Sequence, residues 1–498
     1  MWSKTISFVS VLGLAVSQVS ATCSPDLRAI LLDSDLNWSE GTTITFPEDG
    51  ADFAAVTGRW SIYSSPTFAA AVSPATEEDV MLAVRLARRH NINFLATGGR
   101  HSVVDTLEEL QQGLAIDLHQ FDSIHVDQAA ARLTIGGGVR THDIYEPVTQ
   151  AGLEIPVGSC SCTGMVGVTL GGGANAWISS RGMISDSLLS VRLITAEGEL
   201  TNVSETENSE LFWALRGAGA NFGIVTSATY QLHSPTYDNR ALTVDLLFPP
   251  QVNVSYYTAL ETMARNQPYE LAATTMVLYN QTLGLPLIVG SFVYFGPEDD
   301  GMAALQPLMD LHPIVTSIHR DVAWDELPAT ILLGSDAQIC IPGSIHNTWG
   351  AYSRAISGTN MIRAFSDMAQ FYRGYPSARG SVIVYRHHGH GPGDDIPSNY
   401  TAFPWRDSRA GMEVNLIYAP GNATVEAAAD TVAGRIRTEF VESSGYESLA
   451  VHVNLARAAD SLESIYGADK LPTLAALKNT WDPDNVFRWH HGLPTSYP

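Results

Sequence analysis

The spacing of apolar and polar residues predicts a first region of short strands, glycine-rich loops and one amphipathic helix. Thr76 suits the N-cap of that helix, because Asp79 follows three residues later and apolar residues then recur at helical spacing. The helix should end near Asn91. Short apolar runs bounded by turn residues predict strands, and a short helix is expected at 210–215. The predicted strands span residues 92–96, 114–118, 133–139, 191–195, 199–203 and 224–230.

A different pattern begins near residue 241. Longer strands predicted at 242–248 and 287–294 are interleaved with helices such as 360–372, and a last helix is predicted around 474–481. Strands followed by helices in this irregular order are typical of an α+β domain with an antiparallel sheet. The sequence therefore predicts an α+β protein whose second domain differs in architecture from the first.

Glycine-rich loops mark the candidate site. Residues 158–173 contain six glycines together with Cys160 and Cys162, and a second loop, residues 97–102, contains His101. Glycine lets backbone approach a bulky ligand where a side chain would collide. The two loops therefore indicate one large cofactor held from two sides. Neither loop has the fingerprint of a phosphate loop or of a Rossmann nicotinamide site, so neither of these sites is predicted.

Length and charge restrict the class of protein further. A chain of 498 residues is too long for one core, so two or three domains are expected. The net charge is −24, and only 16% of residues are charged. Strong acidity argues against nucleic acid or an anionic membrane surface as a partner. No stretch reaches eighteen apolar residues, so no membrane span is predicted. We attribute the acidity to solubility, and the sequence leaves the oligomeric state open.

The first 21 residues have the form of a secretory signal. Lys4 is followed by an apolar region at 6–16 and by small residues at 19–21, as at a signal cleavage site. A secreted protein that begins near Thr22 is therefore expected. Sites for N-linked glycans support the secretory pathway. The six candidate glycosylation residues are Asn37, Asn202, Asn253, Asn280, Asn399 and Asn422.

The chain has four cysteines, Cys23, Cys160, Cys162 and Cys340, which are too few for a disulfide scaffold. Cys160 and Cys162 are too close in sequence for an easy mutual bridge, and the pairing of the other cysteines stays open. No second pair at ligand spacing supports zinc, so no metal site is predicted. His387, His388 and His390 are likewise better explained by a glycine-rich active-site loop, because their spacing is poor for metal ligation.

Several motifs together resemble the oxygen-dependent FAD-linked oxidoreductases, the berberine-bridge-enzyme-like family, whose FAD domain is of the vanillyl-alcohol-oxidase (PCMH) type. The resemblance extends from about residue 68 to residue 494. Its motifs are Gly98-Gly-Arg-His-Ser102, Gly158-Ser-Cys160 with Leu170-Gly-Gly-Gly173, Leu211-Phe-Trp-Ala-Leu-Arg-Gly-Ala-Gly-Ala-Asn-Phe-Gly-Ile-Val225, Thr401-Ala-Phe-Pro-Trp-Arg406 and Trp481-Asp-Pro-Asp-Asn-Val-Phe487.

The resemblance implies a covalently bound FAD. The family's loop histidine, which bonds to the flavin 8α-methyl group, matches His101. The cysteine that bonds to flavin C6 in bicovalent members matches Cys160 better than Cys162. The residues expected to bind FAD are His101, Cys160, Thr97, Gly98, Gly99, Arg100, Ser102, Gly164, Gly167, Gly171, Gly172, Gly173, Gly223, Ile224 and Asn454.

The family also implies a domain order. It comprises a signal peptide at 1–21, a two-part FAD-binding domain at 22–237, a substrate domain with an antiparallel sheet at 238–445, and a C-terminal segment at 446–498 that returns to the FAD domain. Backbone N–H groups of the glycine loops are expected to line the pyrophosphate without added positive charge.

Three positions depart from the family pattern, and Glu413 is considered with them as a candidate base. Arg100 stands where many relatives have glycine, and it either contacts a flavin phosphate or points to solvent. Trp405 replaces the histidine of the Thr-Ala-Phe-Pro-His motif, and it would narrow the cavity if it faces it. His452 replaces the tyrosine of a Tyr-x-Asn motif, which is the catalytic base in some relatives. His452 is either the base or an ordinary strand residue. Glu413 is another candidate base, unless it is an outward-facing strand carboxylate.

The leading hypothesis is a secreted oxidase that takes a small organic substrate and O2. The substrate would lose hydride to flavin N5 while a base takes a proton, and O2 would reoxidise the flavin to give H2O2. Aromatic residues in the second domain favour a hydrophobic or aromatic substrate, as in fungal secondary metabolism. A carbohydrate oxidase is the alternative, weakened by the missing tyrosine. A flavin-binding protein without turnover is a third possibility.

Overall fold

The computed structural model describes residues 25–498. The predicted signal peptide and Cys23 lie outside the described residues. Within the described part, no helix is long and apolar enough to cross a membrane. The helices, in chain order, are α1 (Leu27–Leu31), α2 (Ala51–Thr57), α3 (Glu77–Arg89), α4 (Tyr145–Gln150), α5 (Met165–Leu170), α6 (Ile178–Arg181), α7 (Ser209–Ala218), α8 (Asn253–Ala264), α9 (Glu298–Met309), α10 (Leu327–Thr330), α11 (Asp336–Ile339), α12 (Gly358–Gly374), α13 (Ala423–Glu442), α14 (Leu462–Tyr466) and α15 (Leu471–Trp481).

A four-stranded sheet forms the first part of the FAD-binding domain. Its strands are β1 (Thr43–Thr45), β2 (Phe68–Ser73), β3 (Phe94–Thr97) and β4 (Gly113–Asp117), in the order β1-β2-β4-β3. Strands β2, β3 and β4 are parallel. Helix α3 packs its apolar face on this sheet and begins at the predicted capping box of Thr76 and Asp79.

A five-stranded antiparallel sheet forms the second part of that domain. Its strands are β5 (Ile124–Asp127), β6 (Arg132–Gly136), β7 (Leu188–Ile194), β8 (Leu200–Ser204) and β9 (Ile224–Gln231), in the order β5-β6-β9-β7-β8. The predicted hairpin is present as β7 and β8. Glycine-rich loops connect the strands of both sheets. The loops that follow β3 and β6 and the loop that precedes β9 lie close together.

A seven-stranded antiparallel sheet forms the substrate domain, as predicted. Its strands are β10 (Ala241–Phe248), β11 (Leu271–Asn280), β12 (Leu285–Tyr294), β13 (Val315–Val322), β14 (Asn347–Ser353), β15 (Val382–His388) and β16 (Ala410–Leu416), in the order β13-β10-β12-β11-β15-β16-β14. Helices α8, α12 and α13 bury one face of the sheet. Because side chains alternate along a strand, the other residues of β11, β15 and β16 point to the opposite face.

The C-terminal segment returns to the FAD-binding domain. The Tyr466 hydroxyl accepts a hydrogen bond from the Asn221 side chain and donates one to the carbonyl of His491. Lys478 is fully buried and donates to the carbonyls of Asn221 and Phe487 and to the Asp482 carboxylate, at 2.6–2.8 Å. A buried ammonium is tolerated only when it is paired and hydrogen-bonded. These bonds therefore attach α15 firmly to the loop before β9.

The fold buries many histidines in the neutral form. His387 is an example, because burial lowers its pKa to about 3 while its ring bonds to the Gln267 side chain. In the unfolded chain a histidine titrates near pH 6.5. Between these values the unfolded state binds more protons than the folded state, so stability is lost as pH falls below about 6.5.

We predict that His387→Asn weakens the pH dependence of stability. The asparagine amide can replace the ring donor to Gln267, but it takes up no proton. The wild type should lose roughly 2 kcal/mol more than the variant between pH 7 and pH 5, since each pH unit below 6.5 is worth about 1.4 kcal/mol. Urea unfolding at the two pH values measures this difference. Equal losses in both proteins would show that His387 is already charged in the folded state.

Candidate functional site

A large cavity lies where the two parts of the FAD-binding domain meet the seven-stranded sheet. Its volume is about 930 Å³, near the upper end of the range for small-molecule and cofactor sites. The loops after β3 and β6 and the loop before β9 form one side, the free face of β11, β15 and β16 forms the other, and residues 452–455 and 487–490 close one end. The cavity thus joins the predicted cofactor loops to the predicted substrate domain.

Thirteen of the fifteen residues predicted to bind the cofactor line this cavity. They are Thr97, Gly98, Gly99, Arg100, His101, Ser102, Cys160, Gly164, Gly167, Gly171, Gly223, Ile224 and Asn454. Gly172 and Gly173 are not part of the lining. A side chain at Gly172, where φ is +111°, would collide with Phe403. This glycine therefore permits close packing beneath the cavity, and its prediction as a cofactor contact is corrected.

The two predicted loops touch each other through their backbones. A Cβ atom at Gly99 would lie 2.3 Å from the backbone nitrogen of Gly164, so a side chain at this position is excluded. By contrast, a Cβ atom at Gly158 or Gly167 would meet no protein atom within 4 Å, although both residues line the cavity. One glycine brings the loops together, and the other two leave open space for a ligand.

His101 projects from the first loop into the cavity wall. Its ring is stacked on Trp60 at 4.1 Å between centroids, and Trp60 is stacked on His346 at 3.6 Å on its other face. Burial lowers the pKa of His101 to about 4, so the ring is neutral at physiological pH. A neutral imidazole keeps a free nitrogen lone pair, which is the state required for bonding to an electrophilic carbon.

The cysteines of the second loop differ in state. Cys162 forms a disulfide with Cys340, whereas Cys160 is a free thiol. The Cys160 Sγ lies 3.6 Å from the His101 Nε2. Burial raises the pKa of Cys160 to about 11, so the thiol is protonated at neutral pH. The structure therefore brings His101 and Cys160 together on one cavity wall, as the resemblance implied, and leaves Cys160 as the available sulfur.

Several buried polar atoms in the cavity wall have no hydrogen-bond partner among residues 25–498. They are the Thr97 Oγ1, the Trp489 Nε1 and the His490 Nδ1. Buried polar groups are nearly always hydrogen-bonded, because an unmade bond costs about 1–3 kcal/mol. These unpaired atoms, together with the open space beside Gly158 and Gly167, fit a bound group that carries donors and acceptors along its length. A dinucleotide such as FAD has this character.

Arg59 is a site residue that sequence reasoning missed. It lines the cavity, is 7% exposed, and donates one hydrogen bond to the Ser102 carbonyl. No acidic residue in the described part of the chain forms an ion pair with it. Burial and the nearby charge of Arg100 lower the pKa of Arg59 to about 10, so it remains charged at neutral pH. A buried unpaired cation is costly, which indicates that an anionic group belongs beside it.

Arg100 does not follow the predicted alternative of pointing to solvent. Its guanidinium forms an ion pair with the fully buried Asp117 at 2.8 Å and donates to the Val56 carbonyl. The charge of Arg100 is therefore matched within the protein and is not directed to solvent. Of the two arginines at this end of the cavity, Arg59 is the one without an acidic partner among the described residues.

The wall formed by the substrate domain is mainly apolar. Met276 and Leu278 of β11 and Val382 and Val384 of β15 line it. Polar residues interrupt this surface, among them His346, His388, Asn415 and one ion pair. Arg386 of β15 donates to the carboxylate of Glu413 of β16 at 3.1 Å, and both residues line the cavity. Glu413 thus faces the cavity, and the alternative of an outward-facing strand carboxylate is excluded.

His452 also lines the cavity, in a defined hydrogen-bonding state. Its Nδ1 accepts the backbone N–H of Asn454 at 3.1 Å. Burial, with the charges of His490 and Arg386, lowers the pKa of His452 to about 4. A neutral ring whose Nδ1 accepts a bond carries its proton on Nε2. The free edge of His452 is therefore a hydrogen-bond donor, and its only basic lone pair is already engaged.

Trp405 does not reach the cavity. Its Nε1 donates to the Ser464 carbonyl at 3.1 Å, and its ring packs edge-on against Tyr446. The indole thus connects the loop after β15 to α14, and the expectation that it narrows the cavity is corrected.

An aromatic residue that does line the cavity, Tyr352 of β14, was missed. It lies beside Gly411, Phe403 and His452.

Comparison with known proteins identifies related sequences. A family model described as an FAD binding domain matches residues 68–204, and one described as "berberine and berberine like" matches residues 454–494. FAD-linked oxidoreductase OXR1 of Pyricularia oryzae is 41% identical over 449 residues, which cover 90% of this chain and 88% of the relative. FAD-linked oxidoreductase fogF of Aspergillus ruber is 38% identical over 489 residues, 97% of this chain and 98% of the relative.

Solved structures share the fold at lower identity. BBE-like 1 of Physcomitrella patens superposes with a TM-score of 0.78 at 20% identity and covers 92% of this chain and 98% of its own. Glucooligosaccharide oxidase of Acremonium strictum gives 0.76 at 22% identity and covers 91% and 97%. That oxidase is described as carrying a 6-S-cysteinyl, 8α-N1-histidyl FAD. At this identity the likeness establishes the fold.

We predict that Arg59→Met lowers the amount of FAD carried by the purified protein at least tenfold. Removing one partner of a buried charged pair typically costs 2–5 kcal/mol, and 1.4 kcal/mol is tenfold in affinity. The ratio of flavin to protein absorbance measures the loading. Arg363→Met, at an exposed arginine of α12, is the matched control. Full loading of the Arg59 variant would show that no cofactor anion depends on Arg59.

The same variant separates ligand binding from a structural role. Without a bound anion, an unpaired buried guanidinium destabilises the fold. Apo Arg59→Met should therefore unfold at the same temperature as the apo wild type or above it. A clear fall in melting temperature would assign Arg59 to the scaffold.

Proposed function

Because the chain belongs to the FAD-linked oxidoreductases, we propose that it is an oxidase with covalently bound FAD that acts on a small hydrophobic or aromatic molecule and uses O2. The observation that carries this proposal is the convergence of His101 and Cys160. Two residues able to bond to carbon come from separate loops to within 3.6 Å on the wall of one cavity.

The residues around the cavity fit the parts of FAD. His101 and Cys160 would hold the ring system, and the unpaired Thr97 Oγ1 and the charge of Arg59 suit the polar and anionic parts. When bound, FAD accepts two electrons from a substrate C–H bond and passes them to O2. The protein then has to orient the substrate, exclude water and receive a proton.

The apolar wall supports the choice of substrate. Met276, Leu278, Val382 and Val384 offer no hydrogen-bonding groups for the many hydroxyls of a sugar chain. They suit a flat or branched apolar molecule, and the Arg386–Glu413 pair, His388 and Asn415 supply polar contacts beside them. This surface favours a hydrophobic substrate over the carbohydrates named for several structural neighbours.

Three residues of the cavity are candidates to accept the substrate proton, and their environments differ. The Nδ1 lone pair of His452 is engaged by a backbone N–H. Burial raises the pKa of Tyr352 above its ordinary value, so Tyr352 stays protonated and acts as a donor. Glu413 is a carboxylate on the cavity surface, positioned by Arg386. We therefore assign the proton acceptor to Glu413, with His452 and Tyr352 as hydrogen-bond donors.

The proposal extends to the compartment. All six candidate glycosylation residues are at least partly exposed, and Asn37, Asn202, Asn399 and Asn422 are fully exposed. Each could carry a glycan without disturbing the core. We propose that the protein is secreted, as its N-terminal sequence predicts. A covalent bond would then prevent loss of the cofactor into a large extracellular volume.

Acid denaturation tests the covalent bond. The washed precipitate of the wild type should keep its yellow flavin absorbance. His101→Ala and Cys160→Ala should each retain flavin through the remaining bond, and the double variant should release all of it into the supernatant. Flavin that washes out of the wild type would refute both attachments. Folded protein without flavin in either fraction would refute the oxidase.

Glu413→Gln tests the proton acceptor. It keeps the shape and the hydrogen bond to Arg386 but removes the basic oxygen, so turnover should fall 10²–10⁴-fold with unchanged flavin content. Peroxide release from the best substrate of a panel of aromatic alcohols, alkaloids and sugars measures the rate. Glu447→Gln, at an exposed glutamate, should keep full activity. If His452→Gln abolishes turnover and Glu413→Gln does not, the base is His452.

A further inference from the structure

Two sulfur atoms compete for one position beside His101. The Cys160 Sγ and the Cys162 Sγ are 3.3 Å apart, and they lie 3.6 Å and 3.8 Å from the His101 Nε2. Ser161 and Cys162 lie in a turn before α5, and this turn brings the two sulfurs to the same side. By distance alone, either sulfur could supply the second bond to a cofactor held at His101.

The disulfide distinguishes the two sulfurs. Cys162 is bonded to Cys340, which follows α11 of the substrate domain. A thiol must lose its proton to act as a nucleophile, and a sulfur within a disulfide has no proton to lose. The bridge therefore removes Cys162 from the reaction and leaves Cys160 as the one free thiol among the described residues.

Other bonds hold the same two segments together. The backbone N–H of Ser161 donates to the Asp336 carboxylate at 3.0 Å, and its hydroxyl donates to the same carboxylate. The loop that carries Cys160 is thus tied to α11 by Ser161 as well as by the bridge. The position of this loop does not depend on the disulfide alone. Holding the loop in place is therefore not a sufficient reason for the bridge.

We propose that the Cys162–Cys340 disulfide selects the site of cysteinyl attachment by withholding Cys162, so that only Cys160 bonds to the flavin. This inference rests on the proposed covalent FAD. Attachment forms one C–S bond and breaks one S–H and one C–H bond, and the two electrons and two protons released pass to O2. Cys162 and Cys340 are positioning residues in this scheme, since neither touches the reacting carbon.

The selection is tested with two variants and peptide mapping. Cys340→Ser frees Cys162, and Cys162→Ser/Cys340→Ser removes the competing thiol as well as the bridge. Acid-denatured protein is digested, and tandem mass spectrometry locates the flavin, because fragmentation at Ser161 separates the two cysteines. The wild type should carry cysteinyl flavin at Cys160 alone, and Cys340→Ser at both cysteines. The double variant should return to Cys160 alone.

The double variant decides between selection and a structural role. If the bridge serves only to hold the loop, both variants lose cysteinyl flavin equally, and the proposal is overturned. Exclusive attachment at Cys160 in Cys340→Ser overturns it too. The His101 bond is the internal reference, and it should be unchanged in all three proteins. Wild type without any cysteinyl flavin would refute the attachment at Cys160 itself, a result distinct from failure of the selection.

Discussion

The close approach of two backbone loops is the constraint on which the site depends. The loop after β3 and the loop before α5 meet at Gly99 and Gly164, where even one Cβ atom would not fit. This contact places His101 and Cys160 on one wall, although they are 59 residues apart in the sequence. The glycines thus act mainly through protein–protein packing, and the space for the ligand follows from it.

The cavity wall contains few charged residues, and most of them form ion pairs. The chain carries a net charge of −24, yet the cavity wall holds one buried cation without an acidic partner. Arg100 is matched by Asp117, and Arg386 by Glu413, which leaves Arg59. The expectation that backbone groups alone would meet the pyrophosphate is therefore incomplete. A guanidinium kept dry and unpaired interacts strongly with an incoming anion, because little water has to be removed when the anion binds.

Local patterns predicted the elements and the loop motifs well, since both depend on neighbours in the sequence. The capping box of α3, the β7–β8 hairpin and the cavity position of His101 follow from short segments. The residues that were missed depend on distant partners. Arg59 and Trp60 lie before the recognisable motifs, and the Cys162–Cys340 bridge spans 178 residues. The prediction for Trp405 was wrong because a motif indicates where the family's own side chain points. A different side chain at the same position can point elsewhere.

Residue 452 is histidine where the family pattern has tyrosine, and this difference affects which residue of the cavity can accept a proton. A tyrosine there would have a free hydroxyl, whereas the Nδ1 of His452 caps the turn that positions Asn454. Asn454 in turn packs against Gly171, so the histidine stabilises the cofactor loop at the cost of its own basicity. Under the function that we propose, the base comes from the opposite wall, where Glu413 is positioned by Arg386. The hydrogen bond that occupies His452 and the ion pair that orients Glu413 then have one consequence, since together they place proton transfer on the sheet of the substrate domain and not on the C-terminal segment.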